Sequence, residues 1–281
     1  MKDRISRRNL LGLMVAATGA SMAFPGLTSA GGMRRVNPIG VQLYTVRDLL
    51  AADPSGTLAA IAEIGYGEVE TAGYADLTPA RFAAALNDAG LSAPSAHVPL
   101  PVVESEPESV IEAAMIVGHS YLVVPWLSED QRDSLDKYRH LADVLNAFGE
   151  QCANAGLQLA YHNHDFEFTP MDGTVPYDLL LDRCDVDLVK FELDLFWATK
   201  AKADPTACFQ AWPGRFPLCH VKDMNAAGEM VAVGEGEIDF SALFKAGETG
   251  GLKHYFVEHD NPVDALQSIT TSFASVSAIR F

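Results

Sequence analysis

The feature that most constrains this chain is a repeating rhythm: an amphipathic helical run, a glycine, then a short apolar segment. Eight β-prone segments stand out, at 39–43, 68–71, 92–97, 121–124, 158–162, 188–194, 217–222 and 255–258. Alanine-rich helical stretches separate most of them, for example 54–64, 79–89, 107–117, 134–155 and 176–183. Asp53-Pro54 and Thr78-Pro79 put a capping residue before proline at helix starts, and Gly65, Gly90, Gly118 and Gly156 stand where helices should end. Strands that alternate with helices in this way form parallel βα units, and eight units in about 250 residues predict a closed (β/α)8 barrel, an α/β fold of one domain. An open doubly wound sheet is the alternative. It should carry a glycine-rich nucleotide turn after its first strand, and Gln42-Leu43-Tyr44-Thr45-Val46 has none.

In a barrel the functional groups come from the C-terminal ends of the strands. Read in order, those ends are Gln42 with Tyr44, Glu70, His97, Pro125, His162 with His164, Asp194, His220 with Lys222, and Glu258. Because side chains alternate along a strand, Glu192 and Asp194 share a face, as do His220 and Lys222. One strand-end histidine is ordinarily a hydrogen-bonded structural residue, and one strand-end acid ordinarily caps the next helix. Four such groups on consecutive strands, His162, Asp194, His220 and Glu258, are not expected from independent caps. Two imidazoles and two carboxylates make a mixed nitrogen and oxygen set that suits one divalent ion of Mn, Co, Zn or Fe. Clustered carboxylates in a barrel mouth also need a cation to stay ionised.

Residues 1–30 are set aside from the fold. Ser6-Arg7-Arg8-Asn9-Leu10-Leu11 puts twin arginines before a short apolar stretch, and Thr28-Ser29-Ala30 offers small residues for cleavage. A twin-arginine export signal is expected, with a periplasmic mature chain of residues 31–281. The whole chain carries −17, and removing the signal's net +3 leaves −20. Such a surface repels phosphate backbones and anionic lipid, so neither nucleic acid nor membrane is an expected partner after cleavage. Cys152, Cys184, Cys208 and Cys219 form no CxxC pair and are expected as free, buried thiols.

The stretches IGVQLYTVRDLL, EIGYGEVETAGY, YHNHDFEF, FELDLFWA, PGRFPLCHVKDM, VGEGEIDF and YFVEHD resemble the xylose-isomerase-like TIM barrels, the superfamily of sugar isomerases and epimerases. The resemblance covers nearly all of the chain after residue 30. It implies one divalent metal held by four side chains from strands five to eight, usually Glu, Asp, His and Glu. Asp194, His220 and Glu258 match the last three positions. Strand five departs from the pattern: Tyr161-His162-Asn163-His164 has no glutamate, so His162 is placed at the ligand position, with His164 as the alternative. That change puts in doubt any mechanism with two opposed, metal-bound glutamate bases. Glu167 is the candidate for the missing base, provided its loop folds over the mouth.

The chemistry the resemblance implies is proton removal beside a carbonyl through a metal-stabilised enediolate. Glu258 is then a ligand and candidate base, Lys222 gives electrostatic support, and His164, His97, Glu70 and Gln42 are candidates to bind sugar hydroxyls. Trp197 offers an apolar face for a sugar ring, or packs as a core aromatic. Gly234-Glu235-Gly236 reads as a turn before a helix capped by Asp239, not as a phosphate cradle. A neutral sugar or keto-sugar is therefore the expected small-molecule substrate, and pairing into a homodimer is a further expectation. Isomerisation or epimerisation is the leading reading. Elimination from a 3-keto-glycoside uses the same metal site and stays open. A periplasmic sugar-binding protein without turnover is the reading from another class. An apurinic endonuclease would need further ligands and a basic groove.

Overall fold

The structure is a computed structural model and describes residues 33–281. The expected signal at residues 1–30 lies outside the described residues. Strands Gly40–Gln42, Glu68–Thr71, Ser92–His97, Tyr121–Val124, Gln158–His162, Val189–Asp194, Leu218–Val221 and His254–Val257 form one closed parallel barrel. Each strand pairs with its neighbours in sequence, and the eighth closes on the first. The eight segments read from the sequence are these strands, four of them with the same ends. Helix starts also follow the local signals. Asp53 and Thr78 accept from backbone N–H groups of the helices Pro54–Ile64 and Pro79–Ala89, and Gly65, Gly90 and Gly118 end helices with left-handed backbone.

Alternation sorts each strand into two faces, and this is what builds the site. Leu159, Tyr161, Phe191, Leu193, Cys219, Val221, Tyr255 and Val257 pack outward in the main core between sheet and helices. The inward residues form rungs. Tyr121, Val123, Ala160, Leu218 and Phe256 make a small apolar floor inside the barrel. Two residues beyond Ala160, Leu218 and Phe256 come His162, His220 and Glu258, two beyond His220 comes Lys222, and strand six sets Glu192 level with Leu218 and Asp194 level with His220. The lumen is thus apolar below and ionisable above, and every ionisable group in it is held by the strand that carries it.

Packing of the helix Leu135–Asn154 on the sixth strand depends on Gly149. A Cβ there would stand 2.8 Å from the Leu188 carbonyl oxygen, which is backbone and cannot turn aside. Alanine gains about 1 kcal/mol of helix propensity over glycine, but overpacking a tight contact costs roughly 1–3 kcal/mol. Gly149→Ala is therefore expected to lower the midpoint of urea unfolding. An unchanged or raised midpoint would show that the helix can slide off the strand.

The cysteines are free, as expected, but only Cys152, Cys184 and Cys219 are buried, and Cys208 is half-buried. Asp239 caps the helix Phe240–Gly250. The preceding turn is filled from within the chain. Asp223 Oδ2 accepts from the N–H groups of Gly234 (2.9 Å) and Gly236 (3.0 Å), and Oδ1 accepts from those of Met224 and Ile238. A carboxylate already occupies the place where a phosphate would bind, in accord with the turn reading. Among the described residues, no helix is long and apolar enough to cross a membrane.

Candidate metal centre and active site

The fifth strand divides its polar groups between two jobs. Tyr161 points outward and donates its hydroxyl to Glu167 Oε1 at 2.6 Å, while the His164 backbone N–H donates to Glu167 Oε2 at 2.8 Å. Glu167 is fully buried, and each of its oxygens holds a partner. Burial pushes its carboxyl up to about 7. It braces the turn after strand five and does not line the cavity, so the expectation of a base folding over the mouth is corrected. His162 points inward. Its Nδ1–H donates to the Pro125 carbonyl (3.0 Å), which leaves Nε2 as the lone-pair nitrogen, 3.2 Å from Asp194 Oδ2.

Asp194 is both a helix cap and a site residue. Oδ1 accepts from the Trp197 N–H (2.8 Å) at the start of the helix Leu195–Lys200. Oδ2 faces His162 Nε2, Lys222 Nζ at 3.1 Å and His220 Nδ1 at 3.6 Å. Asn163 Oδ1 accepts from the Asp194 N–H and fixes the strand end from the next strand. Burial would raise the Asp194 carboxyl, yet Lys222 and His162 hold it well below the ordinary carboxylate range.

His220 Nε2 donates to Glu70 Oε2 at 2.7 Å. Glu258 Oε2 lies 2.8 Å from His220 Nδ1, but the two do not align as a hydrogen bond, and Nδ1 is a buried nitrogen without a partner. His162 Nε2, Asp194 Oδ2, His220 Nδ1 and Glu258 Oε2 thus converge, with ligand atoms from these four residues within 4.8 Å of one another. A tetrahedral ion with bonds of roughly 2.0–2.2 Å needs donors about 3.4 Å apart. The separations of 2.8, 3.2 and 3.6 Å bracket that value. The donor set and the orphaned Nδ1 fit a divalent ion. Of the two histidines considered for strand five, His162 joins this cluster.

A second layer lies beneath. Glu70 is fully buried and accepts from His220 Nε2, from Gln42 Nε2 at 2.7 Å and from the Ser95 hydroxyl. Gln42 and Glu70 therefore sit behind His220 and off the cavity wall, where they orient a ligand instead of binding sugar. His97 does reach the wall, 3.0 Å from both Glu70 and Glu192. Burial opposes its charge, but those carboxylates raise it to about 9. Glu192, not singled out from the sequence, is pushed up to about 7 by burial and by Glu70. Its place on the face of Asp194 was the available signal.

The wall above the cluster carries His164, Lys222, Asp260, Asn261 and Trp126 around a cavity of 810 Å³. Lys222 Nζ lies 2.6 Å from Glu258, 2.8 Å from Asp260 and 3.1 Å from Asp194, and these acids hold it charged against the cost of burial. Burial, then His162 and Lys222, push His164 down to about 2, so that imidazole is neutral. Trp197 packs against His164 and Lys222 and does not line the cavity, so its expected sugar-stacking place is corrected. The exposed wall aromatics are Tyr44, after strand one, and Trp126, which follows Pro125 at the end of strand four.

The chain is similar to an inosose dehydratase from Lacticaseibacillus casei, 24% identical over 140 residues, a match that spans 43% of this chain and 46% of that relative. Its fold matches a sugar phosphate isomerase/epimerase from Parabacteroides distasonis with a TM-score of 0.74 and 26% identity, over 85% of this chain and 93% of the other. It also matches the IOLI protein crystallised with a zinc atom, with a TM-score of 0.69 and 17% identity, over 85% of this chain and 96% of the other. The family model described as xylose isomerase-like TIM barrel matches residues 58–262, which include the cluster of His162, Asp194, His220 and Glu258 and all four strands that carry it. With the closed eight-stranded barrel, that match places the chain in the xylose isomerase-like TIM barrel family.

Proposed function

We propose that the protein is a divalent-metal-dependent enzyme that isomerises or epimerises a sugar or keto-sugar without a phosphate group. The observation that carries this reading is the convergence of His162, Asp194, His220 and Glu258 at the base of a cavity that also holds a charged lysine and an acid outside the ligand set. The ion would supply Lewis-acid polarisation of the substrate carbonyl. Everything else falls to side chains. Lys222, held charged by its three acids, stabilises negative charge on oxygen and can return a proton. His97 is a second protonated group on the wall. Asp260 lines the cavity, pairs with Lys222 and is raised by burial, which makes it the base of choice. Glu258, the base expected from the sequence, has Oε2 in the ligand cluster. His164 has an unpartnered buried Nδ1 on the wall and suits a sugar hydroxyl.

Asp260→Asn is expected to keep the bound ion and lose roughly 10²- to 10⁴-fold in the rate of proton exchange between substrate and D2O. An unimpaired rate would return the base role to Glu258.

Elimination is a second reading, favoured by the histidine on strand five and by the similarity to an inosose dehydratase. After the same proton is removed, the bond to an oxygen β to the ketone breaks, and Lys222 or His97 protonates the departing group. Incubation of keto-sugars and 3-keto-glycosides with the metal-loaded protein in D2O tests both. A deuterated epimer supports the first reading, an enone with a released alcohol or water supports the second, and no exchange with either class sinks both.

A further inference from the structure

The cavity is larger than a single sugar ring needs. Its 810 Å³ lies toward the top of the range that encloses a drug-sized ligand, roughly 300–1,000 Å³. A ring seated on the ligand cluster fills the end formed by His162, His164, Lys222 and Glu258. The rest extends past the ends of strands two to four to the helix Pro107–Val117, and its wall changes character. Tyr74, Val98, Val102, Val110, Ala113 and Trp126 line it. Val110 and Ala113, three residues apart, share one helix face. Val102 and Trp126 are 38% and 51% exposed, so two sizeable apolar side chains are left to solvent around one concavity.

Tyr74 offers this arm its ring and not its hydroxyl. His119 Nδ1–H donates to the Ala93 carbonyl at 2.6 Å, so Nε2 is free to accept the Tyr74 hydroxyl at 3.2 Å. Three polar side chains interrupt this stretch of wall: Glu106 and Ser109, both exposed, and Thr71, whose hydroxyl is fully buried and has no hydrogen-bond partner.

We infer that the arm is an aglycone subsite. The substrate is then a glycoside whose oxidised sugar ring sits at the ligand cluster and whose aromatic aglycone lies against Trp126, Val102 and the Val110–Ala113 face. The Thr71 hydroxyl meets the oxygen that joins the two parts. A second sugar ring would set most of its hydroxyls against Val98, Val102, Val110 and Ala113, with Glu106 and Ser109 able to meet only some of them, a cost that an aromatic ring avoids. The inference rests on the sugar reading above and names its substrate class.

Calorimetric titration of the metal-loaded protein with 4-nitrophenyl and methyl 3-keto-β-D-glucopyranosides tests it. The aryl compound is expected to bind about 10- to 100-fold more tightly. Ala113→Trp, which fills the arm, is expected to remove that preference while affinity for the methyl compound and metal content stay within about threefold. Val102→Trp, at an exposed position, serves the same purpose should Ala113→Trp fail to fold. Equal affinities in the wild type, no binding of either compound, or a keto-disaccharide that binds as tightly as the aryl compound overturns the subsite. An aryl preference that persists without any D2O exchange overturns the reaction and leaves the subsite standing.

Discussion

Asp194→Ala and His220→Ala are each expected to purify without a bound ion, and to lose at least about 10³-fold in turnover at metal concentrations that saturate the wild type. Each removes one of four donors, but neither loss stops there. Asp194 Oδ1 also caps the helix Leu195–Lys200, so its removal frees the backbone N–H that Trp197 donates. A lost cap costs about 1 kcal/mol. Asp194→Asn keeps a capping oxygen and gives up the charge at Oδ2, which separates the two jobs. It should retain most of the stability and still lose the ion. His220→Ala strips Glu70 of one of its buried donors as well as emptying a ligand position. Elemental analysis of the purified variants reads metal content, and thermal melting with and without added metal reads stability. A variant that keeps a full complement of ion would show that the cluster is a set of ion pairs and not a ligand set.

Lys222→Met is expected to give the largest stability loss in the metal-free protein. Lys222 faces Asp194, Glu258 and Asp260 from inside the barrel mouth, at 3.1, 2.6 and 2.8 Å. Without it the acids keep their burial cost and lose their buried cation. Breaking such a buried pair costs roughly 3–5 kcal/mol. The sign of the pH dependence follows from the acids. Against the upward push of burial, Lys222 first and the nearby histidines hold the Asp194 and Glu258 carboxyls below their ordinary values. A depressed carboxyl contributes stability that is present above its unfolded value, about 4, and is lost as pH falls through the folded value. The wild type should therefore be at full strength near neutrality and lose this contribution only below about pH 4. In Lys222→Met the neutral plateau drops and the acid limb flattens. A divalent ion bound at the cluster should restore part of the loss, because it neutralises the same carboxylates. Urea unfolding from pH 3 to 8, with and without metal, reads all of this. A plateau unchanged by the substitution would mean that water, and not Lys222, balances these acids.

Much of the barrel was legible because its signals are local. Prolines and caps start the helices, left-handed glycines end them, and each strand is a short apolar run between the two. The ligand cluster was legible for a related reason. A period of two fixes which strand-end groups share a face, so Asp194, His220 and Glu258 could be set on one rim with a strand-five histidine, but it could not choose between His162 and His164, which are two residues apart. Depth could not be read that way. Whether an inward residue lies on the cavity wall or one rung beneath depends on the stagger between strands, seen in the pairing of Asp194 with His220 and of Glu192 with Leu218. Glu70 and Gln42 fell on the buried side of that stagger, and His97 fell on the wall. The tryptophans were exchanged for a similar reason. Trp197 sits in the helix that Asp194 caps and turns back over Lys222, whereas Trp126 lies in the loop after strand four and opens into the cavity. Glu167 was misplaced because its partner, Tyr161, points to the opposite face of the strand from the site.

The most direct test of the metal centre is the metal content of the purified wild-type chain after reconstitution with Mn, Co, Zn or Fe and removal of excess ion. Close to one ion per chain, stripped by chelator and regained with recovery of thermal stability, is the result that four converging donors predict. A chain that binds none of these ions would contradict it, and the cluster would then stand as a buried network of ion pairs in the mouth of a barrel that binds sugar without metal chemistry.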